Sequence, residues 1–344
     1  MIPRVLRVFL IAALVCLVAC QQMPVRRGPG VPPGADATRD FDGLLRDFIA
    51  GYYERVPTAA VNSGLHEFDG RLPDFSPEGI RERVAWLVEM RRRTAAIDAA
   101  QLGVKDRLYH GYLAVEIDTQ LFNIRTLKVL ENNAWYDYLA LDPNIYLSRD
   151  YAPLAVRMDA FTRHVRALPA TLVAMRRTIK PMPTGHAEGL RDYLAGLAEF
   201  VTTAPYDVFS AVDDPARHAA MREANDRAAA ALTDLAHWID ALPRDEDFAL
   251  GAEKYAQMLW ALERIDTPIG ELKSLAERDY ERNLQALKQA CAAFAPGATI
   301  QECRARVASR KPPDGPIAAA TRQVDQLKRL VLERHITSIP AGLQ

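Results

Sequence analysis

The sequence has almost no net charge, because its 43 Lys and Arg residues stand against 44 Asp and Glu. That balance excludes the broad basic footprint of a nucleic-acid-binding surface, so no nucleic-acid partner is expected. Cysteine is scarce, with four in 344 residues, which excludes a disulfide-dense scaffold. Long apolar runs are missing too. The run from Val8 to Ala19 has twelve residues, short of the roughly 20 that a membrane-spanning helix needs. The seven histidines are never closer than 19 residues, so no His-x-x-x-His pair can hold zinc on one helix face. His66-Glu67 opens like a zincin motif, but Gly70 stands where the second histidine belongs. No Gly-x-Ser-x-Gly elbow, phosphate-binding Gly-x-x-x-x-Gly-Lys loop or EF-hand loop appears either. What is present is ordinary for a folded chain: 49% hydrophobic and 25% charged residues.

Residues 1–20 read as an export signal. Arg4 and Arg7 form a positive start, the apolar run follows, and it ends in Leu17-Val18-Ala19-Cys20. Small residues before a cysteine at that point resemble a bacterial lipobox, which makes Cys20 the lipid attachment site. The alternative is a plain secretory peptide with a cysteine near its cleavage site. Gln21 follows rather than Asp, which by resemblance to Gram-negative lipoproteins points to the periplasmic face of the outer membrane. Residues 21–38 hold Pro24, Gly28, Gly30, Pro32, Pro33 and Gly34 and read as a tether.

Export leaves two thiols. Cys291 and Cys303 flank Pro296-Gly297, and Thr299 with Glu302 has capping-box spacing. The pattern places the cysteines on two adjoining helices, within reach of a disulfide, the alternative being two buried thiols.

From residue 39 onward the apolar residues repeat with a helical period, so residues 39–344 read as one all-α domain, a multi-helix array without substantial sheet. Phe41, Leu44, Leu45, Phe48, Ile49 and Tyr52 share one face. Ser76-Pro77, Asp214-Pro215 and Thr267-Pro268 each place a capping residue before proline at a helix start. Patterned stretches follow at about 77–98, 104–132, 151–179, 187–203, 215–242, 251–264, 268–294, 300–309 and 317–336. Ile317, Ala320, Val324, Leu327 and Val331 make the stripe of the last.

Three irregular stretches interrupt the pattern, and sites concentrate on such loops. Val56 to Ser76 contains His66-Glu67-Phe68-Asp69-Gly70; Lys180 to His186 is a second. Asn132 to Tyr146 is aromatic and acidic, with Trp135, Tyr136, Asp137, Tyr138, Asp142 and Tyr146. These aromatics read as packing residues, with a peptide-binding groove as the sharper alternative. Arg91-Arg92-Arg93 reads as a solvated helix end, where the dipole favours cations.

The order of these pieces resembles a known family. Phe41 to Tyr53, Val56-Pro57-Thr58-Ala59-Ala60, Gly64-Leu65-His66-Glu67-Phe68-Asp69 and Leu72-Pro73-Asp74-Phe75-Ser76 resemble the opening of the bacterial "domain of unknown function 885" family. Asp142-Pro143 with Tyr146, a Leu168-Pro169 helix start, Trp238 near a helix end and Gly251-Ala252-Glu253-Lys254-Tyr255 fit it as well. The resemblance implies an exported, largely helical protein, often a lipoprotein, similar to zinc metallopeptidases. It also implies that zinc belongs to a second, C-terminal half carrying a His-Glu…Pro-Gly-His segment. This sequence has no counterpart of that segment, so the expectation is a front half without a zinc site, catalytically inactive alone. Its partners would be the membrane through its lipid, and a peptide or the missing half. The stripe from Ile317 to Val331 would then lack part of its packing.

Overall fold

The computed structural model describes residues 35–133 and 140–340. Every regular element among them is helical, and the lone extended contact is an isolated bridge between Met182 and Arg244. None of these helices is long and apolar enough to cross a membrane. The chain divides into two compact units, one ending at Asp266 and one beginning at Thr267.

The first unit opens with helix α1 (Ala35–Arg55), which begins inside the stretch read as tether. It buries Phe41, Leu44 and Phe48, whereas Ile49 from the same expected face stays exposed. Helix α2 (Pro57–Asn62) and a single 3-10 turn (His66–Phe68) lead to α3 (Pro77–Ala95). Ser76 caps α3 by accepting from the Gly79 N–H, as its Ser-Pro start predicts. The expected helix over 104–132 is broken into three pieces. Helix α4 (Val104–Leu121) passes into a π-helical turn (Phe122–Leu127), Lys128 takes a left-handed conformation with φ 52°, and α5 (Val129–Asn132) follows. The apolar period runs through this segment without showing the extra residue per turn.

After the short α6 (Ile145–Ser148), three long helices form the body: α7 (Leu154–Thr178), α8 (Thr184–Val208) and α9 (Pro215–Ala241). Met158, Phe161, Val165, Leu168, Leu172 and Met175 recur every three or four residues along α7 and are all buried. Ala187, Leu190, Leu194, Leu197 and Val201 do the same on α8. Helix α9 packs against both. Arg217–Asp159 and Arg176–Asp234 pair like ends of α9 and α7, while Arg191–Asp240 pairs opposite ends of α8 and α9. So α7 runs parallel to α9, and α8 runs antiparallel to it. Pro169 starts no helix; it lies inside α7. A mid-helix proline costs about 3 kcal/mol, which burial of the neighbouring Val165, Leu168 and Leu172 offsets at roughly 1.5–3 kcal/mol each. Helix α10 (Gly251–Glu263) packs on α4 and closes the unit.

The second unit contains α11 (Ile269–Phe294), α12 (Ile300–Ser309) and α13 (Pro316–Glu333). Thr267 does not cap α11, which starts one residue later than its Thr-Pro pair suggests, with Pro268 at the cap position. The buried cluster of this unit is Cys291, Ala295 and Cys303.

Candidate functional site

The conspicuous polar centre of the first unit is built on the His66-to-Gly70 turn. Gly70 has φ 83°, and a methyl group there would fall 2.5 Å from Arg163 Cβ, so the turn needs glycine twice over. With the turn closed, the Asp69 carboxylate points inward, its side chain only 5% exposed. A carboxylate so placed must be hydrogen-bonded. Tyr151 Oη donates to Asp69 Oδ2 at 2.8 Å, and His66 Nδ1 donates to Oδ1 at 3.1 Å. The His66 and Tyr151 rings stack 3.5 Å apart, nearly parallel. Burial, and then the adjoining Asp69 carboxylate, push the Tyr151 hydroxyl well above its ordinary value. Tyrosine 151 therefore stays a donor.

Two further groups back this turn. Tyr146 is 1% exposed, and its hydroxyl accepts from the Gly70 N–H at 2.9 Å. Burial raises its pKa to about 12. His164 meets the Tyr146 ring edge-on and donates from Nε2 to the Leu141 carbonyl at 3.0 Å, leaving a buried Nδ1 without a partner among the described residues. Burial lowers its pKa to about 4, so it is neutral at pH 7. The guanidinium of Arg157 donates to the carbonyls of Ala152 and Arg149 and pairs with Asp150, fixing the loop that carries Tyr151. Asp69 holds the His66 ring through its Nδ1–H. No serine or cysteine is bonded to that ring among the described residues.

Tyr146 thus belongs to the core rather than to the wall of an open groove. The other aromatic-loop candidates, Trp135, Tyr136, Asp137 and Tyr138, lie outside the described residues, as does Cys20. Cys291 and Cys303 are joined in a disulfide between α11 and α12, with Cα atoms 5.8 Å apart. Gly297, at φ 77°, turns the chain between them, and Thr299 and Glu302 form the reciprocal capping box.

A zinc site needs at least three converging protein ligands. Among the described residues no group of three or more His, Cys, Asp or Glu side chains converges as ligands. Sequence reading marked the His66-to-Gly70 turn but missed Tyr151 and His164. Tyr151 lies 82 residues from Asp69, and no local spacing links them.

Residues 57–342 match the family model described as bacterial protein of unknown function (DUF885). The chain belongs to this family. Its fold is similar to a solved structure from Shewanella oneidensis, a protein of unknown function provisionally described as a lipoprotein, with a TM-score of 0.66 at 16% identity. The likeness covers 90% of this chain but only 59% of that one, so the chain spans less than two thirds of its structural neighbour. No match is found among curated proteins.

Proposed function

We propose that this DUF885 chain is a lipid-anchored envelope protein whose helical body is the non-catalytic front part of a metallopeptidase-like protein. In this reading the first unit is a rigid support, and the second is an adaptor that joins a further polypeptide. The observation that carries it is the contrast within α13. Ile317 is 82% exposed and Leu327 59%, with Val324 beside them, although they form one continuous apolar stripe. A peptidase-like half would supply the zinc, since among the described residues no group of His, Cys, Asp or Glu side chains converges as ligands. The lipoprotein description of the Shewanella oneidensis neighbour, together with the Leu17-to-Cys20 signal, supports anchoring through Cys20.

The test is recovery of the protein from native envelopes with its companions. Wild-type chain should co-purify with one stoichiometric polypeptide or segment carrying a zinc site, and Leu327→Asp should release it. Recovery of a lone chain that binds one zinc and cleaves peptides would contradict the reading. For the anchor, Cys20→Ala should shift the protein from the membrane fraction to the soluble one.

A further inference from the structure

An open cleft of about 430 Å³ lies in the first unit between α4, the π-helical turn and α10. Its volume falls in the range of small-molecule sites. Asp118 stands in its wall with both carboxylate oxygens engaged. Oδ1 accepts from Arg91 Nε at 2.5 Å, and Oδ2 accepts from Arg264 Nη2 at 2.7 Å. One carboxylate against two guanidiniums leaves one positive charge over. Arg125, also lining the cleft, has no hydrogen-bond or ion-pair partner among the described residues, which brings the surplus to two.

The backbone departs from regular helix where it delivers these groups. Arg125 rides on the π-helical turn, a feature that recurs at functional sites. Arg264 sits at φ 56°, a left-handed conformation that costs a non-glycine residue energy and needs a compensating contact. The lining also has apolar groups. Phe122 forms part of it, and Trp260, with half its surface exposed, presents a ring that the Arg264 guanidinium faces at 5.3 Å. Of the three consecutive arginines in α3, Arg92 pairs with Glu89 and Arg93 with Asp47, while Arg91 alone turns to this cleft.

We propose that the cleft binds an organic anion: a carboxylate attached to an apolar or aromatic group. The fork of Arg125 suits the two oxygens of a carboxylate, with the outer nitrogens of Arg91 as second donors. The apolar part lies against Trp260 and Phe122. Inorganic phosphate suits the cleft less, because it has no apolar part to lay against Trp260 and Phe122. This proposal stands apart from the envelope-anchor reading and uses none of its residues.

The test titrates the full chain, purified in detergent, with N-acetylphenylalanine, its neutral amide and inorganic phosphate, followed by calorimetry. Saturable binding of N-acetylphenylalanine is expected, about tenfold weaker for the amide and about tenfold weaker in Arg125→Gln, since a charge-assisted bond is lost in each. Arg222→Gln, an equal charge change on α9, should leave it unaltered, and Arg125→Lys should restore only part. Circular dichroism checks that each variant folds. Absence of binding, equal binding of the amide, equal loss in Arg222→Gln, or phosphate binding as tightly as the carboxylate would each overturn the proposal.

Discussion

The two units use the same kind of sequence and reach different ends. Helices α7, α8 and α9 carry apolar residues every three or four positions, and nearly all of these are buried. Helices α11 and α13 carry equally regular stripes, yet Leu275, Tyr280, Leu287, Val324 and Leu327 are exposed. The second unit keeps Cys291, Ala295 and Cys303 as its buried cluster, with a disulfide through it. An amphipathic pattern therefore reports that a helix has a face to bury, not that the face is covered. Where burial supplies the stabilisation, tolerance to substitution is low; where a covalent link supplies it, the surrounding side chains are free to change.

The widest expected difference comes from making equivalent truncations in both units. Phe161→Ala removes a wholly buried ring against Phe209 and should destabilise the first unit by about 3–5 kcal/mol. Leu327→Ala should stay within about 0.5 kcal/mol in urea unfolding. Equal losses would erase the distinction. The disulfide reverses the direction. Its cysteines are 12 positions apart, so Cys291→Ser with Cys303→Ser should cost the second unit about 3 kcal/mol in the chain-entropy model. The unfolding transition of the first unit should not move. A shift of both transitions together would show that the units unfold as one.

A pH difference follows from His164. Its folded pKa of about 4 lies below the ordinary value of 6.5, so below pH 6.5 the unfolded chain binds a proton that the folded chain refuses. Stability is full above about pH 6.5 and falls by about 3 kcal/mol as pH drops toward 4. The loss belongs to the first unit, and His164→Gln should flatten that slope. An unchanged slope in the variant would assign the effect elsewhere. The smallest difference concerns caps. Asp214→Ala removes acceptors for the Ala216 and Arg217 N–H groups of α9, and Thr299→Ala opens the capping box of α12. Each should cost about 1 kcal/mol, in its own unit alone, by differential scanning calorimetry.

Much of the helical frame was legible because helix periodicity is local. Ser76 and Asp214 cap where their following prolines suggest, and the Cys291-to-Cys303 hairpin could be placed from Pro296-Gly297 and Thr299. The π-helical turn was not legible, since Phe122 to Leu127 keeps an apolar rhythm that an α-helix would also satisfy. Pro169 misled for a related reason: the local cost of proline is readable, but the burial that offsets it is not. The polar centre was half legible. Gly70 and Asp69 stood out as a turn, whereas Tyr146, Tyr151 and His164 reach it only through the packing of α6 and α7. The Asp118 cleft combines residues from three helices, and Arg91 in sequence looked like any cation near a helix end.

Native-state hydrogen exchange, read helix by helix on the full chain, tests the contrast between the units most directly. Amides in the middle of α7, α8 and α9 should open only with global unfolding, at the free energy found in urea. Amides of α13 should exchange through local opening at a small fraction of that energy, and should gain protection when a partner covers the Ile317-to-Val331 stripe. Protection of α13 equal to that of α7 in the isolated chain would contradict the account.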